Sequence, residues 1–223
     1  MIRLILALAL LLRLVSLTQS FWLDEAAQAV LSRTNVFHVN YAADFQPPLY
    51  YVFSHVWMQL GNLISIGSLE WFLRLPSVFF GLITIYLTFL LGKKMFSLHV
   101  GLFAAFLLAI APFHIYYSHE FRMYSLLTLL CLLCWNALYD KRWILLSLFV
   151  ALSTYTHYFA FVNIVSMGLF LWTTRQKRGL GYLVAGLLPF SLWIPMFIEQ
   201  LTTAQHLVSL WPKWSMVSNA GFF

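Results

Sequence analysis

Two short polar islands hold most of the chemistry open to this sequence. FWLDEAAQAV carries the adjacent carboxylates Asp24 and Glu25, and SHEFRMYS carries His119, Glu120, Arg122 and Tyr124. Carboxylates so grouped can act as a general base or as ligands for a divalent cation. Guanidinium and imidazole groups neutralise anions such as phosphate. That role is open to Arg122, to His157 in TYTHYF and to Arg13 inside the first apolar run. A third island, DFQPPLYY, adds Asp44, Gln46, Tyr50 and Tyr51, and Tyr158 follows His157.

Several of these residues also have a plainer reading. Asp24 suits a helix cap, Arg13 can snorkel to headgroups, and a lone His157 suits an interfacial hydrogen bond. Glu120 and Arg122 are two apart and would diverge on a helix, so their partners are expected on other elements. Taken together, Asp24, Glu25 and Glu120 read as the acid–base or ion-holding groups. Arg122, His157 and Arg13 read as phosphate ligands. The groove would be lined by Asp44, Gln46, Tyr50, Tyr51, His119, Tyr124 and Tyr158. A lipid-linked phosphate fits such a site.

The elements that must position these groups are membrane helices. The chain has 223 residues, 62% hydrophobic and only 9% charged, which predicts an all-α polytopic membrane protein with a single transmembrane domain over 1–223. Apolar runs fall at 2–19, 48–66, 71–92, 99–117, 121–139, 143–156, 157–173 and 180–198. The positive-inside rule excludes 48–66 as a span, because only then do Lys93–Lys94, Lys141–Arg142 and the RQKR run share the cytoplasmic side with Arg3. Seven spans follow, with a cytoplasmic N-terminus and an outer loop over 20–70. Within that loop 48–66 is an interfacial helix, with His55, Gln59 and Asn62 recurring on one face. All the acids except Asp140, and all the histidines except His99, then lie on the outer side. The net charge of +6 reads as this orientation signal, and no basic stripe points to nucleic acid. Cys131 and Cys134 sit one turn apart in an apolar run and read as buried thiols.

The ordered motifs WLDEA, QPPLYY, LRLPSVFFGLITIYLTFLLGKKMF, PFHIYYSHEFRMYSL and YTHYF resemble the family 39 membrane glycosyltransferases. That family has the GT-C fold and is related to protein mannosyltransferases and lipid A aminoarabinose transferases. The resemblance implies an inverting transferase that takes a sugar from a polyprenyl-phosphate donor at the outer face of the plasma membrane. The acceptor would be a hydroxyl of a protein, lipid or polysaccharide. It also implies an essential first-loop acid, matched by Asp24 with Glu25 beside it, and a second outer acid, matched by Glu120. His119 and Phe121 depart from the usual Gln and Ala. Relatives continue into further spans, so the chain reads as an N-terminal part, with 201–223 the start of an outer loop. A divalent cation (Mg2+ or Mn2+) is compatible with the carboxylates but not required. The competing readings are a non-catalytic lipid transporter or flippase and a membrane scaffold.

Overall fold

The computed structural model describes residues 1–34, 39 and 41–220 and, among these, contains helices and no strands. His38 and residues 221–223, which entered the orientation and outer-loop expectations, lie outside the described residues. The helices are α1 Ile2–Leu14, α2 Leu23–Arg33, α3 Tyr41–Asp44, α4 Leu49–Asn62, α5 Glu70–Met95, α6 Leu98–Ile110 and α7 Pro112–Ser118. The chain continues with α8 Tyr124–Tyr139, α9 Trp143–Thr156, α10 Ala160–Thr173, α11 Lys177–Leu187, a 3-10 turn Leu188–Trp193 and α12 Ile194–Ala220.

Every segment expected to span is helical over most of its length, and α2, α3 and α4 occupy the expected outer loop. The lengths are less even than expected. By length and composition α5 and the stretch Lys177–His206 can each cross a membrane, and α6 with α7 forms a third candidate bent by 63°. The apolar helices α8, α9 and α10 are shorter, at 16, 14 and 14 residues, against about 20 for a full crossing. The stretch 201–220, expected to open a loop, continues α12 as helix.

Two of the three apolar clusters among the described residues hold the long helices together. One packs Ala9 of α1 against Ile85 and Phe89 of α5 and Leu102, Ala105 and Ala109 of α6. The other joins α8 to α11 through Cys134, Leu146, Val150, Ile164, Met167, Leu171 and Leu183. Cys134 is buried there, and both cysteines are free thiols.

Helix α4 lies along the bundle as an amphipathic element. Its buried face is Tyr50, Tyr51, Ser54, Met58 and Gly61, close to helical spacing. Pro76 inside α5 has no N–H to bond the Phe72 carbonyl. The Trp57 indole of α4 donates to that carbonyl instead at 3.0 Å, and its ring stacks on Phe72 at 4.6 Å. A proline defect in one helix thereby becomes the docking point of another.

Candidate active site

Asp24 and Glu25 lie in the first turn of α2, where the helix dipole favours acids. The N-cap is Trp22, so Asp24 is not the cap. Neighbours on a helix point about 100° apart, and here that separates the pair completely. Glu25 turns inward and is 1% exposed. It meets Arg74 of α5 through two hydrogen bonds, at 2.9 and 2.5 Å, and accepts the Phe121 backbone N–H at 2.7 Å. Arg74 also donates to the carbonyls of Leu17 and Gln19, at 2.7 and 2.6 Å. This pair ties the α1–α2 linker, α2, α5 and the loop before α8 into one knot. Sequence reasoning missed Arg74, although a lone arginine inside a long apolar helix is itself a signal of a paired role.

Asp24 turns outward, with its side chain 45% exposed. Its carboxylate is 4.0 Å from the Arg122 guanidinium, and Arg122 donates to the Asp24 carbonyl at 3.3 Å. The Arg122 Nε is buried, with no hydrogen-bond partner among the described residues. Arg122 lies over the Tyr124 ring, 6.0 Å from its centre, and Tyr124 in turn packs on His157. The Phe159 N–H donates to His157 Nδ1 at 3.0 Å, which leaves the imidazole proton on Nε2. Burial, then the Arg122 charge, pushes the His157 pKa down.

The loop carrying Glu120 is anchored by its backbone. Ser77 donates to the Glu120 carbonyl at 2.5 Å, and Ser125 to the Tyr117 carbonyl at 2.6 Å. Among the described residues neither oxygen of the buried Glu120 carboxyl has a hydrogen bond within 3.5 Å. Burial raises its pKa; the nearby Tyr116 hydroxyl and Arg122 oppose that rise, while Glu25 and Asp24 add to it. Asp44 is held by the Tyr51 hydroxyl. Its pKa is also raised by burial, with Tyr51 and Arg122 opposing and Asp24 adding. Asp24, Asp44, Glu120 and Arg122 therefore share one electrostatic neighbourhood, drawn from three segments: α2, α3 and the loop before α8.

One wall is closed from far along the chain. Gln200 of α12 donates to the carbonyls of Tyr41, at 2.6 Å, and Gln46, at 3.3 Å. It accepts from the Tyr158 hydroxyl, to which the Trp193 indole donates at 3.0 Å. Neither Gln200 nor Trp193 was anticipated; no local pattern marks a residue whose partners are 159 positions away.

Not every expected residue joins this neighbourhood. Tyr50 is fully buried beneath Phe121. His119 bonds the Leu12 carbonyl at the end of α1, at 3.1 Å. Arg13 is 0% exposed and is satisfied by the carbonyls of Ala9 and Ala109, Ser118 and His114. These last two belong to the seam between α1 and the α6–α7 bend. Among the described residues no three His, Cys, Asp or Glu side chains are grouped to hold a metal ion.

The chain matches the dolichyl-phosphate-mannose-protein mannosyltransferase family over residues 45–198. The match takes in α4 to the start of α12, with Gln46, Tyr51, Glu120, Arg122 and His157. Comparison with curated proteins and with solved structures gave no match. The matched stretch covers more than half of the chain and carries Glu120, Arg122 and His157, while α2 with Asp24 and α3 with Asp44 precede it; by this match the protein belongs to the dolichyl-phosphate-mannose-protein mannosyltransferase family of GT-C-type membrane glycosyltransferases.

Proposed function

We propose that the chain carries the catalytic end of a transferase that moves a sugar from a polyprenyl-phosphate donor to an acceptor hydroxyl, at the outer face of the membrane and with inversion. One observation carries this reading: an exposed carboxylate, Asp24, stands 4.0 Å from a mostly buried guanidinium with an unused donor. Asp24 takes the proton of the acceptor hydroxyl as its oxygen bonds to the anomeric carbon. The bond from that carbon to the phosphate oxygen breaks, and the electron pair leaves with the polyprenyl phosphate. Arg122 stabilises the charge that grows on the departing phosphate.

His157 serves as a neutral Nε2–H donor rather than as a cation, given its lowered pKa. Glu120 and Asp44 border the sugar and keep their protons to a higher pH than ordinary carboxyls. Either carboxyl, where it holds its proton, can donate a hydrogen bond to a sugar hydroxyl. Glu25 supports the site through Arg74 without touching substrate.

The test is release of polyprenyl phosphate from polyprenyl-phosphate mannose by the purified protein. Asp24→Asn is expected to lower turnover by about 10²- to 10⁴-fold, the usual contribution of a positioned base, with donor binding retained. Arg122→Ala is expected to weaken donor binding. Wild-type turnover by Asp24→Asn would end the base assignment.

A further inference from the structure

The end of the bundle away from Asp24 is strongly basic. Helix α5 leads to Lys93 and Lys94, and α8 leads to Lys141 and Arg142. The α10–α11 turn brings Arg175, Lys177 and Arg178, and Arg3 opens α1. The single acid at this end is Asp140, and Lys94 at 2.8 Å and Arg142 at 3.8 Å already occupy it. Among the described residues no carboxylate pairs with Arg175, Lys177 or Arg178.

A cleft of about 610 Å³ opens here between α10 and α11, lined by Leu171, Trp172, Thr173, Arg175, Lys177 and Leu180. Its chemistry changes across its width. Leu171 is buried and forms the floor, while the rim is the two free cations. Trp172 stands 71% exposed at the end of α10, the position where indoles mark the membrane–water boundary. From the cleft an apolar stripe runs along α10 through Leu169, Val165 and Val162, at 56%, 61% and 68% exposure.

We infer that this cleft is a binding site for one anionic phospholipid. Its headgroup phosphate lies between Arg175 and Lys177, and an acyl chain follows the Trp172–Leu169–Val165–Val162 stripe. A soluble phosphate would satisfy the cations but would leave that stripe unused. A zwitterionic lipid would use the stripe but would set its own cation against the arginine and lysine. Two cations near a membrane surface favour an anionic lipid by about thirtyfold over a neutral one. The site is independent of the transferase chemistry, since it stands at the other end of the helices.

The experiment is native mass spectrometry of the whole chain in detergent, titrated with phosphatidylglycerol or phosphatidylcholine of identical acyl chains. The expected result is one tightly held phosphatidylglycerol, bound about thirtyfold more strongly than phosphatidylcholine. The double variant R175Q/K177Q should lose this preference. R3Q/K93Q removes the same charge from the same end outside the cleft and should keep it. Equal binding of the two lipids overturns the inference, as does equal loss in both double variants. Displacement by inorganic phosphate also overturns it, because the occupant would then be a free anion. Should R175Q/K177Q not fold, the two-lipid and phosphate comparisons on the wild type decide the matter.

Discussion

Asp24 and Glu25 are chemically near-identical neighbours with opposite fates. Glu25 is buried and doubly bonded to Arg74; Asp24 faces a loosely held arginine and remains half-exposed. Removing one partner of a buried pair leaves an uncompensated charge, at a cost of about 3–5 kcal/mol. Arg74→Ala and Glu25→Gln should therefore lower the thermal midpoint in detergent steeply, whereas Asp24→Asn should barely move it. A fall with Asp24→Asn as large as that with Arg74→Ala would mean that Asp24 is structural. Glu120 gives a pH signature. Its folded pKa lies above the ordinary value of 4.5, so the native state keeps a proton that the unfolded chain releases. That contribution is fully present below about pH 4.5 and is lost as pH rises through the raised value. Glu120→Gln should flatten this limb of the stability–pH curve and leave the others in place.

At the scale of elements, close contacts and rescued backbone groups set how helices meet. A side chain at Gly92 would meet the Gly101 backbone at 2.9 Å, and one at Gly101 would meet the Phe89 carbonyl at 2.5 Å. Helices α5 and α6 therefore touch backbone to backbone, as small residues allow in membranes. Gly101→Leu must push them apart, at a cost of about 1–3 kcal/mol, which thermal unfolding would register. No change in the midpoint would place the contact elsewhere. At the α6–α7 bend, Pro112 interrupts the hydrogen-bond ladder, and the freed Ala109 carbonyl accepts from Arg13. Arg13 thus holds a broken helix in a fixed bend. Through Ser118 it also braces the segment that leads into Glu120.

For the whole molecule the governing feature is polarity from end to end. Carboxylates, tyrosines and Arg122 gather where α5 begins and α9 ends; lysines and arginines gather where α5 ends and α9 begins. The positive-inside rule predicts that the basic end faces the cytoplasm. A reporter fused after Met95 is expected to read cytoplasmic, and one inserted between Arg33 and Tyr41 to read external. The reverse pattern would invert the proposed site. The Lys94–Asp140 bridge at the basic end is partly solvated, so Asp140→Asn should change stability by no more than about 1 kcal/mol.

Membrane residence, helicity, the polar islands and the charge asymmetry were legible in the chain itself. They depend on run length, hydropathy and the position of charges, which are properties of neighbouring residues. The pairing of side chains was not legible, because it depends on helix rotation and on which helices touch. A rotation of about 100° decides that Asp24 reaches the groove while Glu25 reaches Arg74. Contact between α1 and the α6–α7 bend turns Arg13 and His119 into local braces, although charge and position alone suggested phosphate binding for Arg13 and a place in the groove for His119. Gln200 joins the Tyr41–Gln46 segment only because α12 returns across the bundle to meet it. Which residue types crowd one end of the membrane was written locally. Which of them share a site was decided by packing, where one buried hydrogen bond fixes the register of segments far apart in the chain.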